Sequence, residues 1–157
     1  MPEADIPARA PRDTLPVTAG RLRLAIAALL DVALHARPQP VNARLLAERH
    51  GLPPRHLETV LQALVRHGLL KGVRGPRGGY ELARERRRIS LGDTARAVAG
   101  DAAPETPEAA GLSALAEPTL AAAQAAFLAA LDAVSVEDLC RQAGGQSPPP
   151  LPAAFDI

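Results

Sequence analysis

Hydrophobic and polar positions along the chain predict a run of helices interrupted once by a pair of short strands. Over residues 18–36, Leu22, Ile26, Leu29, Leu30 and Ala33 recur at the spacing of one helical face, and Pro38 and Pro40 forbid its continuation. Asn42 is placed to cap a short helix over 43–50 that would bury Leu45, Leu46 and Ala47 and stop at Gly51. A third helix follows a short connection, with Pro54 in its first turn and Leu57, Val60, Leu61, Leu64 and Val65 as its apolar stripe. Its other face is polar and carries Arg55, His56, Glu58, Thr59, Gln62 and Arg66. Residues 69–83, LLKGVRGPRGGYELA, then read as two short apolar runs about an Arg-Gly-Pro-Arg-Gly-Gly turn. Proline cannot join a ladder and glycines free the backbone, so a β-hairpin with Arg74 and Arg77 on its tip is expected.

Beyond the hairpin, Ser90 and Asp93 form a capping box for a helix through Val98. An acidic, proline-punctuated loop over 101–117 separates it from a long helix over 118–134 bearing Leu120, Ala123, Phe127, Leu128, Leu131 and Val134. Its many alanines allow a second helix to approach closely. Ser135 with Asp138 is a second capping box, opening a short helix that ends at Gly144 and Gly145. Residues 1–15 lack periodicity and read as a disordered arm, and the Pro-rich residues 144–157 as a disordered tail.

A short helix, a tight connection and a longer helix with a polar face make a helix-turn-helix. Followed directly by a basic hairpin, the unit becomes a winged helix-turn-helix over residues 16–100, which offers a helix to one DNA groove and a wing to another. The fold class expected is therefore mainly α with a small β-hairpin wing, and residues 118–143 supply a dimerisation helix and a short terminal helix.

Composition sharpens this picture in three places. Hydrophobic residues make up 47% of the chain but aromatics only 2%, so the core must be aliphatic and helical packing close. The net charge of +1 hides an asymmetry: residues 41–100 carry twelve Lys and Arg against five acids, while residues 101–157 carry one Arg against eight acids. A basic field of that kind is the footprint of a polyanion partner, and the acidic third fits a partner-facing or regulatory segment. The single cysteine, Cys140, rules out an intrachain disulfide framework and suits a reducing cytoplasm, where the protein is expected. No stretch is long and apolar enough to span a membrane, and the acidic, Pro-rich first residues do not read as a signal peptide.

Candidate chemistry is sparse. There is no nucleophile elbow, phosphate-binding loop or paired-carboxylate motif, so no enzymatic activity is expected. The four histidines are spread over three helices, with no spacing that implies a metal site. Cys140 is the one candidate redox thiol, but Glu137 and Asp138 precede it, and an inert thiol is the expectation. Arg84 to Arg88, RERRR, reads equally as a solubilising turn or as phosphate contacts at the base of the wing.

These residues resemble the Rrf-two family of bacterial winged-helix repressors, which includes iron–sulfur regulators of the IscR, NsrR and RirA type. RLRLAIAALLDVALHA, LLAERHGLPPRHLETVLQALVRHGLL, VRGPRGGYELA and ISLGDTARAVAG carry the likeness, and the string from Gly68 to Ala83 is its most specific part. LAALDAVSVEDL is similar to the end of the family's dimerisation helix and the element after it. The resemblance implies a homodimer on a near-palindromic operator in double-stranded DNA. Arg55, His56, Glu58, Thr59 and Gln62 would face the major groove, and Arg74, Gly75, Pro76, Arg77, Gly78 and Gly79 would form the wing. Leu120, Phe127, Leu128 and Leu131 would lie on the dimerisation helix.

Cluster-binding relatives hold their iron–sulfur group through three cysteines in the loop before that helix. The corresponding loop here has none, so no cofactor is expected and the effector is left open. Alternative readings are a protein-interaction dimer or a small-ligand sensor that keeps the same fold.

Overall fold

Helices and hairpin occur in the expected order in the computed structural model, which describes residues 19–99 and 115–144. The elements are α1 (Ala19–His35), α2 (Ala43–His50), α3 (Pro54–Arg66), β1 (Leu70–Val73), β2 (Gly79–Leu82), a 3-10 turn (Arg86–Arg88), α4 (Leu91–Ala99), α5 (Glu117–Asp132) and α6 (Val136–Ala143). The N-terminal arm, the acidic loop up to residue 114 and the tail from residue 145 lie outside the described residues.

Local sequence explains most of the boundaries. Asn42 accepts a 2.7 Å bond from the Leu45 amide at the start of α2, and Gly51 closes that helix in the left-handed region. Both capping boxes form. The Asp93 amide donates to Ser90 Oγ at 2.9 Å and the Ser90 amide to Asp93 Oδ2 at 3.1 Å, and Ser135 and Asp138 repeat the arrangement before α6. At α3 the N-cap is Pro53, which has no side chain able to accept, so this helix starts without a side-chain cap.

The core is aliphatic, as composition requires: Leu29, Leu46, Leu57, Leu61, Leu64, Leu69, Leu70 and Ile89 are its largest fully buried members. Three details of the expected pattern differ. On α1 the buried face is Leu22, Ala25, Ala28, Leu29, Val32 and Ala33, with Ile26 and Leu30 only half-buried at its border. α1 packs against α3, α4 and α6 together, and alanines permit the close crossings that larger side chains would prevent. Leu45 is exposed, because two turns of α2 cover one face only and Leu46 and Ala47 occupy it. Val65 is exposed as well, since Ala63 and Leu64 take the inward positions of the last turn of α3.

The hairpin pairs Leu70 with Leu82, Lys71 with Glu81, Gly72 with Tyr80 and Val73 with Gly79. A third short edge was not legible in the sequence. The Tyr80 amide donates to the Val41 carbonyl at 2.8 Å, and the Val41 amide returns a 3.1 Å bond, tying the segment before α2 to β2. Close approach here demands glycine next door, because a Cβ on Gly79 would stand 2.4 Å from the Val41 carbonyl oxygen.

α5 lies against α4 with none of its residues fully buried. Phe127, Leu128 and Leu131 rest half-buried on the core, whereas Leu115 and Leu120 are 76% and 47% exposed. The C-terminal end of α5 is fixed by a fork of Arg96 Nη1 and Nη2 on the two oxygens of Asp132, at 2.7 and 2.6 Å. A Cβ at Gly92 would fall 1.8 Å from Asp132 Oδ1, so α4 needs its glycine for this contact. α6 then folds back onto the core through Val136 and Cys140, with the Val136 amide donating to the Ile89 carbonyl at 2.8 Å.

Candidate nucleic-acid interface

Two surface features stand out, and each follows from the packing beneath it. α3 buries Leu57, Val60, Leu61, Ala63 and Leu64, so its helical periodicity turns Arg55, His56, Glu58, Thr59 and Gln62 outward, all of them exposed. The hairpin tip is the second. Arg74, Gly75, Pro76 and Arg77 are exposed, with Gly78 and Gly79 half-buried where the strands resume. Gly75 adopts a φ of 119°, a region closed to most residues, which lets the tip turn in five residues between β1 and β2. The start of α1 joins the first feature: Gly20, Arg21 and Leu24 border one hollow with Arg55, His56, Thr59 and Val60. Arg21 is therefore a neighbour of the outward face of α3 that the pattern of α1 alone did not single out.

The helix pair is braced from behind by a buried carboxylate. Asp31 on α1 is 7% exposed and accepts from Arg49 Nη1 of α2 at 2.6 Å. His35 Nδ1 lies 3.1 Å from the same oxygen, and His50 Nε2 lies 3.2 Å from the other without hydrogen-bond geometry. His35 sits one helical turn after Asp31, but spacing gave no hint that His50 of α2 meets the same acid. The Arg49 guanidinium already supplies a cation there. Among the described residues no group of three or more His, Cys, Asp or Glu is arranged to hold a metal ion.

The basic run after the wing also has a role in the fold that its composition did not suggest. Arg84 donates from Nε to the Gly68 carbonyl and from Nη2 to the His67 carbonyl, both at 3.1 Å, closing the C-terminal end of α3. Arg86 reaches across to the Ala33 carbonyl of α1 at 2.5 Å, and Arg87 pairs with Glu85 at 2.7 Å. Two of the four arginines, Arg84 and Arg86, thus tie the run to the helix ends, while Arg87 and Arg88 remain exposed.

Leu120 and the trio Phe127, Leu128 and Leu131 are not brought together: the first is exposed on the free part of α5 and the others lean on the core. Cys140 is buried, and burial pushes its thiol above the ordinary cysteine range, with the nearby Arg86 opposing the shift only in part. That Arg86 is its cationic neighbour, and not only the adjacent Arg141, could not be read from spacing.

Helix-turn-helix and hairpin, with Val41 bridged to its second strand, define the class: a winged helix-turn-helix protein. The family follows from comparison with known proteins. The profile of Rrf2, described as an iron-dependent transcriptional regulator, matches residues 18–142, and the chain belongs to that family. It is 42% identical over 76 residues to the HTH-type transcriptional regulator IscR of Xenorhabdus nematophila, a match covering 48% of this chain and 46% of that protein. The IscR of Vibrio cholerae is similar to the same extent, at 42% over 76 residues, with 48% of this chain and 44% of the relative covered. The chain thus aligns with about half the length of these curated relatives. Among solved structures, the IscR of T. potens superposes with a TM-score of 0.62 at 28% identity, over 85% of this chain and 93% of that one. CymR, the global cysteine regulator of B. subtilis, superposes with a TM-score of 0.61 at 26% identity, over 78% and 94% of the two chains.

The family description raises the question of iron, and the donor set answers it. A cluster needs several thiolates, yet the chain has one cysteine, and that one is buried in α6 with its thiol form favoured. The residues present do not fit an iron–sulfur cluster.

Proposed function

We propose that this chain is a sequence-specific DNA-binding transcriptional regulator, a homodimeric repressor that works without an iron–sulfur cluster. The observation that carries the reading is the contrast between engaged and unengaged cations. Arg84, Arg86 and Arg87 are held by carbonyls or a carboxylate, whereas Arg74 and Arg77 project from the hairpin tip with no hydrogen bond or ion pair among the described residues. A fold has no use for two such charges beside a proline and three glycines; a phosphate-lined groove does. On α3, Arg55, Glu58, Thr59 and Gln62 offer hydrogen-bonding groups matched to base edges in a major groove, and His56 lies among them.

The homodimer is supported by α5, which exposes Leu120 and buries none of its residues fully, with Leu115 exposed in the turn just before it. A second copy packed along this helix would place two recognition helices on successive turns of a near-palindromic operator. A role beside the chromosome places the protein in the cytoplasm. The chain is read as a binding protein, in line with the transcriptional regulators it resembles.

Selection of bound duplexes from a random pool, followed by a salt titration on the enriched sequence, tests this. The expected result is enrichment of one palindromic site and an affinity that falls steeply with salt, because phosphate contacts release counterions. Failure to enrich any sequence, or a flat salt response, would overturn the reading and favour a dimer that works through protein contacts.

A further inference from the structure

A second cavity lies on the far side of the wing's base from the tip. It has a volume of about 910 Å³, within the ordinary range for small-molecule sites. Its apolar lining that reaches the surface is Ala36, just past the end of α1, with Leu82 and Ala83 where β2 finishes, and the buried Val32 and Ala33 of α1 lie beneath it. Its rim is charged and comes from four separate parts of the fold. The turn after α1 gives Arg37, the hairpin gives Lys71 and Glu81, the run after β2 gives Arg84, Glu85, Arg86 and Arg87, and α6 gives Glu137.

Charge at this rim is unevenly cancelled. Lys71 is paired with Glu81 at 3.2 Å and Arg87 with Glu85 at 2.7 Å. Arg84 and Arg86 instead spend donors on backbone carbonyls, which orients them but leaves their full charge in place. Arg37 is exposed and makes no hydrogen bond or ion pair among the described residues. Against these three cations the rim sets one further carboxylate, Glu137, and Arg84 also lies at the outer limit of ion pairing from Asp93, at 4.0 Å.

We infer that this cavity is the effector site, taking a small organic anion whose phosphate or carboxylate head meets Arg37, Arg84 and Arg86 and whose apolar body lies on Ala36, Leu82 and Ala83. An apolar base rimmed by an excess of cations selects for that chemistry and against neutral or cationic molecules. The walls give the site its output. Lys71 and Glu81 belong to the hairpin whose tip carries Arg74 and Arg77, so an occupant that draws the rim together changes how the wing is held against α1. Glu137 links the same rim to α6, which follows α5 directly. The regulatory output rests on the DNA-binding reading above; the binding site itself does not.

The test uses the full chain and three probes of one shape: phenyl phosphate, benzoate and phenol. Equilibrium titration without DNA should show one or both anions binding and raising the melting temperature, with phenol inert. Arg37→Glu should weaken that binding by about tenfold or more, the scale of one charge-assisted contact, with an unchanged circular dichroism spectrum. Ala36→Phe, which fills the floor, should abolish it independently. Absence of binding by either anion, or equal affinity in both variants, would overturn the site. With the selected duplex present, saturating probe should change DNA affinity by about fivefold or more, and an unchanged affinity would overturn the effector role. A chain that binds no duplex at all would sink the DNA reading, while the titrations without DNA still decide the cavity.

Discussion

Arg74 and Arg77 at the tip of the wing and Arg84 and Arg86 at its base are the same residue type within a dozen positions, yet they have opposite employment. The tip pair stands on a glycine-rich turn with no partner among the described residues. The base pair is drawn into the fold, sealing the end of α3 and reaching the Ala33 carbonyl of α1. What separates them is not charge but whether unpaired carbonyls lie within reach. Helix ends leave carbonyls unsatisfied, and a nearby guanidinium satisfies them. At the hairpin tip neither Arg74 nor Arg77 turns back onto a carbonyl, and both side chains stay in solvent. Counting arginines therefore overstates the guanidinium groups that stand free for DNA at the wing.

The largest expected effect comes from the joint that holds the wing itself. Gly79→Val should destabilise the fold by about 2–3 kcal/mol and remove DNA binding with it, because the new side chain overlaps the Val41 carbonyl. Thermal melting alongside an electrophoretic shift assay would show both losses together; a stable variant with normal binding would mean the Val41 edge is dispensable. Next come the tip residues. Arg74→Ala should weaken specific operator binding by about 1–3 kcal/mol while leaving the melting temperature unchanged. Arg86→Met should reverse that profile, costing about 1–2 kcal/mol of stability, since the Ala33 carbonyl loses its charged donor. Paired melting and binding measurements on the two variants put the comparison at risk directly: if both lose binding and neither loses stability, the base is part of the interface after all.

The smallest effect is acidic. The Arg96 hydrogen bonds hold the Asp132 carboxyl below the ordinary aspartate range, with Coulombic attraction from Arg96 and a bond from Ser90 adding to them. A carboxyl with a lowered folded-state value contributes stability above its unfolded value and loses it as pH falls toward the folded one. Asp132→Asn should therefore cost below about 1 kcal/mol at neutral pH, the pair being solvent-screened, and the gap to wild type should close on acidification. A gap that stays constant down to strongly acidic pH would separate Asp132 from the acid response. Asp138, lowered chiefly by its bonds with Ser135, contributes in the same direction.

Much of this molecule was legible without coordinates because its signals are local. Asn42, Gly51 and the two Ser-x-x-Asp boxes act within four residues, and each forms where the sequence placed it. The outward face of α3 was equally readable, since burial of Leu57, Leu61 and Leu64 leaves only one direction for Arg55, Thr59 and Gln62. Positions near the edge of an apolar stripe were not. Leu45, Val65, Ile26 and Leu30 are apolar residues one helical step from the core, and only the arrangement of neighbouring helices decides which of two adjacent positions is covered.

The sequence by itself determined the order of elements, the aliphatic character of the core, the basic wing and the lack of thiolates for a cluster. All of these depend on residue identity or on contacts between near neighbours. Tertiary structure alone decided the rest. It set Val41 beside Tyr80, brought Arg49 and His50 of α2 onto Asp31 of α1, and gathered Arg37, Lys71 and Glu137 around one cavity. It also divided a run of arginines between solvent and fold. These are contacts across tens of residues, set by how the helices cross, and no periodicity along the chain records them.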